Sequence, residues 1–80
     1  MLTWMKDEAR TICAFPGVIN EVETNYTIIR FGNTYVANRI RYDLSKGEMV
    51  DHPVGKDRSL LVVKLLCEKD YRAVKERSKS

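Results

Sequence analysis

Asn25-Tyr-Thr-Ile-Ile-Arg-Phe-Gly-Asn-Thr-Tyr-Val-Ala-Asn-Arg-Ile-Arg-Tyr-Asp43 decides the fold of this 80-residue chain. Apolar and polar residues alternate on both sides of Gly32-Asn33. A period of two marks a strand with two different faces, and a Gly-first pair suits a two-residue hairpin loop. Closing the loop at Gly32-Asn33 sets Phe31 opposite Thr34, Arg30 opposite Tyr35, Ile29 opposite Val36, Ile28 opposite Ala37 and Tyr26 opposite Arg39.

Upstream, Val18-Ile-Asn-Glu-Val-Glu23 also alternates, and Thr24-Asn25 offers a second tight corner. With both corners in place the side chains sort into two faces. Val18, Val22, Ile29, Phe31, Val36, Ile40 and Tyr42 form the expected core face. The opposite, outward face then holds Tyr26, Arg30, Tyr35, Arg39 and Arg41, with Glu21 and Glu23 near Arg30 and Tyr26. Ser45-Lys46-Gly47 marks another turn, Glu48–Asp51 a short fourth strand and His52–Asp57 a loop.

At the N-terminus Leu2, Met5, Ala9 and Ile12 recur at helical spacing, which predicts a short helix over residues 2–13, ended by Pro16. The β-rich run Arg10–Phe15 supports a strand there instead. Trp4 and Met5 read as core staples. Near the C-terminus Leu60, Val63, Cys67, Tyr71 and Val74 form one helical face, widened by Leu61, Leu65 and Leu66, with Asp57 as N-cap. The breadth of that stripe suggests cover from the sheet and from a second subunit. Ser59–Leu66 also admits a strand reading. Residues 76–80 are polar and read as a frayed tail.

The expected fold is therefore one α+β domain over residues 1–80. It has a three- or four-stranded antiparallel meander, a short N-terminal helix and a C-terminal helix on one sheet face. The alternative architecture is a small SH3-like β-barrel with a C-terminal helix.

Composition bounds the function. Charged residues make up 31% and apolar ones 44%, ordinary values for a folded protein, and the net charge of +3 is only mildly basic. A chain this short buries roughly 60–65% of its unfolded surface, so self-association would add needed margin. Cys13 and Cys67 stand 54 positions apart without CxxC or CxxH spacing, so they read as buried thiols and not as metal ligands. No secretory signal and no apolar run near the ~20 residues of a membrane span is present, which points to a cytoplasmic protein. His52 has no nucleophile or carboxylate at a spacing that would build a catalytic site, so no enzyme and no cofactor are expected.

What remains is binding. Tyrosines interleaved with arginines serve nucleic acid by stacking and phosphate contact, serve protein interfaces, or simply pack across strands. The candidate partner-binding or nucleic-acid-binding residues are Tyr26, Arg30, Tyr35, Arg39, Arg41, Arg72 and Lys75. The leading expectation is a small, non-enzymatic accessory or regulatory protein of the kind compact phage and plasmid genomes encode. It would be a homodimer acting through protein contacts. The rival is a DNA- or RNA-binding protein using the Tyr/Arg sheet face and the basic C-terminal helix.

Overall fold

The structure, a computed structural model, describes residues 2–8, 11–19, 22–43 and 45–77. Five antiparallel strands lie in chain order: β1 (Trp4–Glu8), β2 (Thr11–Ile19), β3 (Val22–Phe31), β4 (Thr34–Asp43) and β5 (Glu48–Asp57). One helix, α1 (Leu60–Arg77), follows. The α+β class with an antiparallel meander and a C-terminal helix stands, in an open sheet whose edges are β1 and β5.

The central hairpin closes at Gly32-Asn33, and all five expected pairings are found, from Phe31 with Thr34 to Tyr26 with Arg39. Gly32 has a φ of 61°, a left-handed conformation that a side chain would strain.

Several expectations are corrected, the first being the strand count, since five strands stand where three or four were expected. The N-terminal helix is replaced by β1 and the start of β2, where Trp4 pairs with Ala14 and Met5 with Cys13. The β-branched and aromatic residues of the segment win over the 3–4 spacing once a neighbouring strand supplies partners. Thr24-Asn25 is not a corner. Both lie inside β3, and Ile19 pairs directly with Val22. Glu23 consequently pairs with Tyr42 and Val18, away from Arg30; Glu21 lies outside the described residues. Finally, the loop expected at His52–Asp57 continues β5 to Asp57, with a bulge between the Gly55–Ala37 and Pro53–Asn38 pairs. Pro53 is tolerated because β5 is an edge, and the bulge absorbs the irregularity.

The helix starts at Leu60, capped by Ser59 rather than Asp57. Ser59 Oγ accepts from the Val62 amide at 3.4 Å, and Asp57 Oδ1 accepts from the Ser59 amide at 2.8 Å. Val63 and Cys67 are fully buried, and Leu60 and Tyr71 pack at their sides, as the helical spacing predicts. Residues 76–77 belong to the helix, and 78–80 lie outside the described residues.

The helix sits on the face that the sequence assigned to the outside. Alternation places Ile12, Ala14, Tyr26, Ile28, Tyr35, Ala37 and Arg39 on one side, and the core consists of Leu2, Ala14, Tyr26, Ile28, Ala37, Val63 and Cys67. Small residues set the position of α1. Ala14 and Ala37 are buried, and at Gly55 a Cβ would stand 2.8 Å from Leu66 Cδ1. Trp4 packs on this core, but Met5 is exposed on the opposite face.

Candidate functional site: the uncovered sheet face

The other side of the sheet carries Cys13, Val18, Ile29, Phe31, Val36, Ile40, Tyr42 and Met49, and no described element covers it. Six of the seven residues expected to form the core, all but Val22, are here. Val18 is 71% exposed, Phe31 62% and Met49 61%. Phe15, at the β2 bulge, and Met5, on β1, are exposed as well. Isolated exposed apolar residues are ordinary on a protein surface, whereas several gathered on one face of a sheet make that face a candidate for contact.

The middle of this face is lined by shorter and more polar residues. Cys13, Thr27, Asn38 and Pro53 form one cross-strand row. Asn25 is buried next to it, and its Oδ1 has no hydrogen-bond partner among the described residues. Charge on the face is sparse. Glu23 stands at one end, and on β5 Asp51 pairs with Ile40 and Lys56 with Val36.

The sequence-derived site residues are dispersed by this arrangement. Tyr26 is fully buried, and its hydroxyl donates to Asp70 Oδ2 at 2.6 Å. Arg39 donates from one guanidinium nitrogen to both oxygens of Asp70, at 2.8 and 2.7 Å. These two join helix to sheet and are not open to a ligand. Burial, with the Asp70 carboxylate beside it, pushes the Tyr26 hydroxyl well above the usual phenol range. Tyr71 meets the Tyr26 ring edge-on, with centroids 6.4 Å apart, and Lys75 lies 5.0 Å over the Tyr71 ring. Tyr35 packs beside the core. Arg30 is exposed, donating to the Gly32 carbonyl at 3.0 Å, and Arg72 is exposed on α1.

Arg41 lies elsewhere, in a half-open pocket of about 300 Å³ beyond Arg39 on the helix side. Lys46 and His52 share its lining with Asp43 and Glu48, which face each other across β4 and β5. The Ser45 hydroxyl, donating to Asp43 at 2.6 Å, holds that carboxyl below its usual range. Two cations and two carboxylates leave this pocket without a dominant charge. Among the described residues no cluster of histidine, cysteine and carboxylate groups has the geometry to hold a metal.

Cys13 and Cys67 are both buried and form no disulfide. They belong to opposite sides of the sheet. Among the described residues no helix is long and apolar enough to cross a membrane.

The sequence missed the open face because it counted hydrophobicity rather than size. The side with more Ile, Val and Phe read as the core. The signal for the other side was the string of small residues Ala14, Ala37 and Gly55, which alone lets a helix come close. No protein-family model, curated protein or solved structure matches this chain.

Proposed function

We propose that this chain is a small non-enzymatic binding protein of the cytoplasm that works as a homodimer through the uncovered sheet face. The observation that carries the reading is the exposure of Val18, Phe31 and Met49 on a face where Ile29, Val36, Ile40 and Tyr42 are also without cover. Burying a Val, Ile or Phe side chain yields about 1.5–3 kcal/mol, so a small sheet with one bare apolar side gains strongly from a partner.

Sedimentation velocity on the wild-type chain tests the reading. A dimer of the 9.3 kDa chain is expected, together with a folded monomer for Val18→Asp combined with Phe31→Asp. A wild-type monomer at all accessible concentrations would overturn it. The rival reading, nucleic-acid binding through Arg30, Arg41, Arg72 and Lys75, would gain if the chain retained DNA or RNA with an affinity that falls steeply as salt rises.

A further inference from the structure

We infer that the outward side of α1 docks on an anionic lipid bilayer, with Leu61 and Leu65 entering its surface and Lys69, Arg72 and Lys75 meeting its headgroups. This contact lies on the other side of the molecule from the uncovered sheet face and does not depend on the dimer reading.

α1 packs on β4 and β5, with Val63 and Cys67 fully buried. At about 3.6 residues per turn, positions two residues away from Val63 point nearly the opposite way. They are Leu61 and Leu65, 67% and 59% exposed, with the exposed Val62 beside them. A helix that covers a sheet needs its apolar residues on the covered side, so this second apolar ridge is not explained by the core. The same outer line continues through Lys69, Arg72 and Glu76, all exposed.

Charge is sorted across the helix. Asp70 is neutralised from the sheet by Arg39. Glu68 is half-buried, and its Oε1 accepts from the Leu2 amide at 2.6 Å. Lys69, Arg72 and Lys75 are exposed, as is Arg58 just ahead of the helix, and among the described side chains of α1 the exposed carboxylate is Glu76. Cations near a helix C-terminus are favourable in themselves, but exposed leucines a turn or two earlier are not. Apolar side chains that reach the acyl boundary while lysines and arginines meet the headgroups are how a helix lies on a bilayer, and an anionic leaflet draws the basic residues in.

Other occupants fit less well. A nucleic acid would meet the cations and leave the leucines in water. A protein would need a groove shaped to this convex ridge, whereas a bilayer yields to it.

Vesicle co-sedimentation tests the contact. The wild-type chain should sediment with vesicles of phosphatidylserine and phosphatidylcholine in equal parts, and not with phosphatidylcholine alone. Leu61→Gln combined with Leu65→Gln should lower the affinity about tenfold or more, and so should Lys69→Gln combined with Arg72→Gln. All four side chains face water, so circular dichroism should stay as in the wild type. Val18→Asp combined with Phe31→Asp leaves α1 untouched and should bind the mixed vesicles as the wild type does. Equal binding to both kinds of vesicle, or full binding by either helix variant, would overturn the inference. Loss of binding in the sheet-face variant would also overturn it, by moving the lipid contact to the other side. So would retention of single-stranded DNA by a chain that ignores the mixed vesicles.

Discussion

Tyr26 and Arg39, cross-strand partners on β3 and β4, converge on one carboxylate, that of Asp70 on the helix. Two adjacent strands and α1 are thereby locked at a single point. The side chains of the ion pair are only 12% and 26% exposed, so it lies in a region where partners matter more than the pair itself.

Removing one partner leaves a charge or dipole stranded. Asp70→Ala should lower stability by about 3–5 kcal/mol, the usual cost of orphaning one member of a buried ion pair. Arg39→Ala should be similarly costly. Arg30→Ala, on the exposed end of the same sheet face, should stay within about 0.5 kcal/mol of wild type. Urea unfolding of the three variants checks the ranking. An Arg39→Ala protein as stable as Arg30→Ala would show that the clamp contributes nothing.

The close approach of α1 to β5 should be equally measurable. Gly55→Ala forces Leu66 to move, because the new methyl would lie 2.8 Å from its Cδ1. Overpacking of this kind costs about 1–3 kcal/mol, reduced to the extent that the leucine tip can turn. Adding Leu66→Ala to Gly55→Ala should cost less than the two single changes summed, and a double-mutant cycle would read this as coupling. Strict additivity would place the contact elsewhere.

The buried thiol of Cys67 gives a pH dependence. Burial, aided by the negative charges of Asp70 and Glu68, pushes it up to about 12 from an ordinary 9.0. The folded state therefore holds its proton where the unfolded chain releases it. The stabilisation is fully present below pH about 9 and falls as the pH rises from about 9 towards 12. Tyr26, raised in the same direction, adds to the loss above its ordinary value of 10.0. Cys67→Ala should flatten the first part of this alkaline decline, measured as the denaturation midpoint against pH. At neutral pH Cys67 should react with a thiol reagent only as fast as the chain unfolds.

Much of the backbone was legible in the sequence. Gly32-Asn33, flanked by largely alternating residues, specified the central hairpin and its register, and the Leu60–Val74 spacing identified the inward face of α1. The ends were harder. Thr24 and Asn25 favour turns in isolation, but both are buried inside β3 because the sheet extends on both sides of them. The candidate site was misread for a different reason. Alternation tells which residues share a face, not which face receives the helix. That choice was made by small residues far apart in the chain, and by Asp70, whose two partners lie 31 and 44 positions away. Tyr26 and Arg39, which looked like part of a platform, fasten the helix to the sheet instead.

The kinked outer strand β5 bears on how a sheet with so apolar a side is kept from growing at its edge. Pro53 offers no amide hydrogen, and the extra residue at Val54 breaks the even spacing that an incoming strand would have to match. Ribbon-like growth from that edge, the usual route from bare sheets to fibrils, is thereby discouraged.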